Sequence, residues 1–217
     1  MVPHHLEDHM IKVHHLNNSR SQRILWLLEE LGLDYEIVNY ERDPVTRLAP
    51  AALKAVHPLG KSPVITDGDL VVAESGAIIE YIVRKYGNGR LLPAIDSPTY
   101  IKYLQWMHFS EGSAMLPLLL ALYVGKLGDA GAPLKPRITS EIDNHLRYLE
   151  AELGRNDYLL GGELTAADIQ VSFVVEVADA RNLLDDYVNL SRYAERIHAR
   201  PAYIRALERG GPYRLGA

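Results

Sequence analysis

The chain has 217 residues, 47% of them hydrophobic and 24% charged, a composition that excludes disordered and fibrous classes. It holds no cysteine, which removes disulfides, Cys-ligated metals, iron–sulfur clusters and any thiol nucleophile supplied by the chain itself, and suits a reducing, cytoplasmic setting. The net charge of −5 carries no basic surplus in either half, 10 basic against 12 acidic residues through position 90 and 13 against 16 beyond it. Neither a nucleic acid nor a membrane is therefore expected as a partner, and no apolar run approaches the ~18 residues of a membrane span.

Residues 1–9 read as a leader or tag. His4–His9 contains three histidines and two acids but no apolar periodicity and no signal-peptide core. A metal site there is the sharper reading and the weaker one. Ile11–His15 then reads as a short buried strand, and Asn17–Ser19 supplies polar side chains suited to a helix start. Ile24, Leu27, Leu28 and Leu31 share one helical face, with Gly32 as the stop. Tyr35–Tyr40 alternates like a strand. This opening, strand–helix–strand, implies a parallel pair with a right-handed crossover.

Pro44–His57 mixes helical and loop signals. Pro63–Thr66, the turn Asp67-Gly68-Asp69 and Leu70–Ala73 predict a hairpin. Ser75–Tyr86 predicts an amphipathic helix, with Ser75 as its N-cap and Ile78, Ile79, Ile82 and Val83 on one face. Residues 10–88 thus form one domain of order βαβ–ββα, and residues 89–97 read as a linker. The rest, 98–217, predicts helices only. Ser97-Pro98 starts a long one with Ile101, Leu104, Met107 or His108, and Met115 inward, bent at Pro117. Ile138, Ile142, Leu146, Leu149 and Leu153 mark another. Thr165–Asp168 is a capping box with Leu164 and Ile169 as its staple, and two shorter helices separated by Pro201 finish the chain.

Four segments carry a resemblance. NNSRSQRILWLLEELG (17–32), HPLGKSPVI (57–65), AESGAIIEYI (73–82) and GGELTAADI (161–169) occur in the order found in the glutathione S-transferase family, and the wording is similar to its bacterial and fungal branch. The resemblance spans nearly the whole chain. It implies an α/β plus all-α fold: a thioredoxin-like N-terminal domain followed by an all-helical C-terminal domain. It also implies glutathione as co-substrate with no cofactor and no metal, a homodimer, and transfer of the glutathione thiolate to a small apolar electrophile such as an aryl halide, an enal or an organic hydroperoxide. Alternatives within the same fold are a glutathione-dependent peroxidase or disulfide reductase, a maleylacetoacetate-type isomerase, and a non-catalytic binding protein.

That chemistry needs a thiol, of ordinary pKa ~8.5, lowered by ~2 units, or ~2.7 kcal/mol of preferential anion stabilisation. A helix N-terminus and a hydrogen-bond donor aimed at the sulfur can together supply it. Family members use a Tyr, Ser or Cys near the end of the first strand; here no Tyr lies between Ile11 and Gly32 and no Cys exists. The family spacing of fourteen residues before Gly32 lands on Asn18, with Ser19 next to it. Ser19 is taken first as the donor, Asn18 second, and a backbone N–H or a water is the remaining alternative. By resemblance, the Ser62–Pro63 bond is cis and the Ser62 backbone pairs with glutathione like an added strand. Lys61 meets the glycine carboxylate, and Glu74 and Ser75 hold the γ-glutamyl end at a helix start. Arg42, Arg47 and His57 fall where other members contact the glycine end. Tyr103, Trp106, Met107 and Tyr123 are the candidates for a second-substrate pocket.

Overall fold

The computed structural model describes residues 10–215, so the leader expected at residues 1–9 lies outside the described residues. β1 (Ile11–Leu16) is buried at every position except Lys12 because it is a central strand. β2 (Tyr35–Tyr40) lies parallel to it, from Ile11 opposite Tyr35 to Leu16 opposite Tyr40. β3 (Val64–Asp67) lies antiparallel on the other side, with Val13 opposite Ile65. β4 (Leu70–Ala73) pairs with β3 at the edge, giving the order β2-β1-β3-β4. The parallel pair requires a crossover, which is α1 (Ser21–Leu31), stopped by Gly32 in the left-handed conformation at φ 63° that glycine adopts without steric cost. A short helix, α2 (Leu53–Val56), precedes β3, and α3 (Ser75–Tyr86) follows β4. This is the expected thioredoxin-like βαβ–ββα arrangement.

The second compact unit, residues 83–200, is helical: α4 (Pro98–Phe109), α5 (Met115–Gly125), α6 (Lys135–Leu153), α7 (Ala166–Asp179) and α8 (Val188–His198). Ser97 caps α4, its Oγ accepting the Tyr100 N–H at 3.3 Å. The inward face of α4 differs from expectation. Tyr100, Tyr103, Trp106 and Met107 are buried, while Ile101 is 65% exposed. The aromatic residues carry the same three-to-four spacing, and their larger area takes the buried side. A wider π turn over Ser110–Ala114 joins α4 to α5, just ahead of Pro117, which has no N–H to return to the preceding turn. The run Pro98–Gly125 is long and apolar enough to cross a membrane by length and composition alone. In the structure α4 packs on α7 and α5 on α6, while Leu116, Leu120, Leu122 and Tyr123 of α5 are exposed.

α7 is the centre of this unit, buried from Ala166 to Ala178, and each of its large aliphatic side chains contributes about 1.5–3 kcal/mol of hydrophobic stabilisation. Its start is closed by Asp168, whose carboxylate accepts the Thr165 N–H and Thr165 hydroxyl at 2.9 Å, the Leu159 N–H at 2.9 Å and the Tyr193 hydroxyl at 3.2 Å. Residues 89–97, read from sequence as a linker, group with this unit; the Leu91 carbonyl accepts the Ala166 N–H at 2.8 Å.

One boundary is corrected. The last helix, α9 (Pro201–Gly210), does not join the helices of 98–200; residues 201–213 group with the first unit. α9 covers α1. Tyr203 meets Trp26 edge-on at 5.3 Å. Glu29 accepts from Arg205 Nε at 2.8 Å, from Arg209 at 3.0 Å and from the Tyr35 hydroxyl at 2.8 Å. Burial pushes the Glu29 carboxyl up, but the hydrogen bonds from Arg205, Tyr35 and Arg209 outweigh it and hold it below the usual 4.5. Sheet on one side and α9 on the other explain why α1 is buried nearly all round, polar Gln22 and Arg23 included.

Candidate functional site

The turn between β1 and α1 is held from two sides. Asn18 sits at its tip in the left-handed region, φ 51°, which asparagine tolerates better than most residues. From outside, the Arg42 guanidinium donates through Nε to the Asn17 carbonyl at 3.2 Å, through one terminal nitrogen to the Asn18 carbonyl at 3.3 Å and through the other to the Arg47 carbonyl at 3.0 Å. The Arg42 N–H in turn donates to Asn17 Oδ1 at 3.0 Å. Burial first, then the charges of Arg47 and Arg20, lower the Arg42 pKa; an arginine stays charged regardless, so the turn has an electropositive rim. From inside, the hydroxyls of Ser19 and Ser21 lie 2.8 Å apart, and Ser21 Oγ lies 2.8 Å from His15 Nδ1. Ser19, Ser21 and His15 are all buried. Ser19 Oγ also accepts the Ser21 N–H at 3.2 Å, a local bond within the turn that leads into the helix.

The second segment is fixed to the first. The Ser62–Pro63 bond is cis. Ser62 Oγ donates to the His14 carbonyl at 2.8 Å and accepts the Leu16 N–H at 3.3 Å, so this loop is pinned to the strand end that leads into the Asn18 turn. Lys61 is exposed beside it.

The third segment is the start of α3. Glu74 is exposed, has φ 71° and offers its carbonyl to the Ile78 N–H at 2.9 Å. Glu74 therefore occupies the cap position expected for Ser75, and Ser75 lies inside the first turn. Ser75 is buried, and its Oγ accepts from the Arg23 guanidinium at 3.2 Å. A buried cation thus sits beneath a helix N-terminus, and both raise the local potential for an anion. Neither α1 nor α3 carries an acidic side chain in its first turn.

Hydrogen bonds between Ser62 and both His14 and Leu16, and from Arg23 to Ser75, tie the second and third segments to the β1–α1 junction. Sequence reasoning missed the parts played by Arg23, Arg42 and His15. A basic residue among buried neighbours on α1 was the one signal for Arg23; Arg42 and His15 act through partners distant in sequence. The second-substrate candidates lie in the helical unit. Tyr103 stacks on Tyr100 at 5.7 Å between ring centres, and Trp106 stacks on Tyr148 at 5.0 Å and meets Phe109 edge-on at 5.3 Å. Both are buried, as is Met107, whereas Tyr123 is 60% exposed. Among the described residues no cluster of three or more His, Asp or Glu is arranged to hold a metal ion.

Residues 8–84 match the glutathione S-transferase N-terminal domain, and residues 132–196 match its C-terminal domain. Glutathione S-transferase 3 of Schizosaccharomyces pombe is 38% identical over 215 residues, covering 92% of this chain and 88% of its own. The crystal structure of a glutathione S-transferase from Actinobacillus pleuropneumoniae is 39% identical, superposes with a TM-score of 0.84 and covers 93% of each chain. A glutathione transferase family member from Pseudomonas fluorescens, solved with two glutathione bound, is 26% identical with a TM-score of 0.79 and 94% coverage of each chain. Fold, motif order and near full-length similarity agree, and the chain belongs to the glutathione S-transferase family as a glutathione transferase.

Proposed function

We propose that glutathione lies along the β1–α1 junction and the two segments tied to it and is ionised at the Asn18 turn. The Pseudomonas fluorescens relative was solved with glutathione bound, which supports the same ligand here. The γ-glutamyl carboxylate meets the α3 start above Ser75 and Arg23, with Glu74 toward the ammonium. The cysteinyl backbone pairs with Ser62, and Lys61 and the rim arginines face the glycine carboxylate. The observation that carries this reading is that neither α1 nor α3 has an acid within its first turn, and that the start of α3 is backed by buried Arg23.

The inward hydrogen bonding of Ser19 favours Asn18 as the side-chain donor to the sulfur. A donor to a charged partner contributes ~1.5–3 kcal/mol and the α1 N-terminus ~0.3–1 kcal/mol or more, which together match the ~2.7 kcal/mol that a two-unit shift requires. The thiolate then attacks an electrophilic carbon, its sulfur forming the new bond as the leaving group departs with the bonding pair, or adds to the β-carbon of an enal. The burial of Tyr103, Trp106 and Met107 favours a role in shaping the helical unit, leaving Tyr123 as the exposed aromatic of the set. An apolar row on α5, Leu116, Leu120 and Tyr123, supports a homodimer, and the absence of cysteine supports a cytoplasmic setting. A peroxidase or disulfide reductase is the second reading, favoured by an amide at the position where transferases place a hydroxyl or thiol.

Titration of bound glutathione by the ultraviolet absorbance of its thiolate tests this reading. The wild-type complex is expected to ionise ~2 units below free glutathione, and Asn18→Ala to lose about tenfold or more in turnover. A bound thiol that ionises no more readily than in buffer sinks the reading. Parallel assays with a chloronitrobenzene and cumene hydroperoxide decide between transferase and peroxidase.

A further inference from the structure

The polar groups beneath the Asn18 turn form a chain whose proton order can be assigned. His15 Nε2 lies 3.1 Å from the Gly210 carbonyl oxygen, which can only accept, so Nε2 carries the ring proton. In a neutral imidazole Nδ1 is then an acceptor, and the Ser21 hydroxyl at 2.8 Å donates to it. The alternative acceptor for Ser21, the Leu16 carbonyl, is farther at 3.2 Å. With its own proton committed, Ser21 Oγ takes the proton of Ser19. His15 is 3% exposed, and burial lowers its pKa against a smaller opposing effect of the Gly210 carbonyl, so the ring stays neutral and the order holds.

We infer that His15, acting through Ser21, turns the hydroxyl proton of Ser19 inward and so assigns the thiol-facing donor of this loop to Asn18. The inference rests on the glutathione reading above and deepens it. A hydroxyl has one proton; once that proton points inward, the oxygen offers only lone pairs outward, and these repel a thiolate. His15 is a positioning residue in this scheme. Its anchor lies 195 positions away in the chain. A Cβ at residue 210 would stand 2.7 Å from Leu25 Cδ1 and 2.9 Å from Gln22 Oε1, so any other residue there would have to displace the ends of those two side chains.

The test has two arms. Nitrogen-15 spectra of the full chain at neutral pH, assigned against His15→Gln, are expected to show His15 protonated at Nε2 and unprotonated at Nδ1; the opposite tautomer or an imidazolium overturns the inference without any glutathione present. In the second arm the thiol pKa of bound glutathione is compared in Asn18→Ala and in Asn18→Ala/Ser21→Ala. Removing the Ser21 hydroxyl frees the Ser19 proton to turn outward, so the double variant is expected to recover about tenfold in thiol acidity, one pKa unit, and addition of Ser19→Ala to erase the gain. A purely structural Ser21 would make the double variant no better than the single one, and that result overturns the inference. Calorimetry on the unmodified chain separates the two failures: no uptake of glutathione sinks the proposed function and the role of Asn18 with it, whereas uptake and ionisation without recovery sink the relay alone.

Discussion

The starts of α1 and α3 contrast with the start of α7. All three expose backbone N–H groups to whatever lies in front of them. At α7 the chain supplies the anion: Asp168 is fully buried and collects four donors. At α1 and α3 no acid occupies the first turn, and cations gather instead, Arg42 around the Asn18 turn and Arg23 under Ser75. The difference teaches that a helix start completed by its own side chain is a folding element, while one left electropositive is fitted for an anion from elsewhere.

The contrast can be broken most strongly at α7. Asp168→Ala leaves the buried Leu159 N–H and the part-buried Thr165 N–H without acceptors, and at ~1–3 kcal/mol for each orphaned donor the expected loss is about 4 kcal/mol by urea unfolding. Ser75→Asp breaks it from the other side by giving α3 an internal anion against Arg23. Glutathione affinity is expected to fall about a hundredfold, or ~2.7 kcal/mol, while unfolding free energy stays within about 1 kcal/mol of wild type; retained affinity would show that the γ-glutamyl carboxylate does not sit there. The smallest effect concerns pH. Burial, with Lys12 adding for His14, lowers the pKa of both His14 and His15 from 6.5. The unfolded chain therefore takes up protons first as pH falls, so this contribution to stability is complete above pH 6.5 and is lost progressively below it. Denaturation midpoints across that range are expected to drop on acidification, and less steeply in His15→Gln.

Much of this was legible in the sequence, and the residues show why. The strand at Tyr35–Tyr40 and the helix at Ser75–Tyr86 have the bounds that alternation and periodicity predicted, because local pattern and burial agree there. The Thr165–Asp168 box formed as its spacing required. On α4, two registers of apolar residues compete at one spacing, and ring area rather than aliphatic character chose between them. Ser75 became an interior residue of α3 because Glu74 took a left-handed conformation that no propensity favours. Asn18 and Ser19 could not be told apart by residue type. What separates them is the direction of a hydroxyl proton, set by a histidine and by a carbonyl near the other end of the chain.

The last point bears on synthesis. The half of the molecule that leaves the ribosome first lacks its cover helix until residues 201–213 have also emerged, since Tyr203, Arg205, Arg209 and Gly210 seal α1 and hold His15. Vectorial folding would let an early unit mature while later ones are still being made; here the sheet-bearing unit is completed by a helix translated after the whole helical unit, and the loop proposed for thiol chemistry acquires its final arrangement only once residues 201–213 are free.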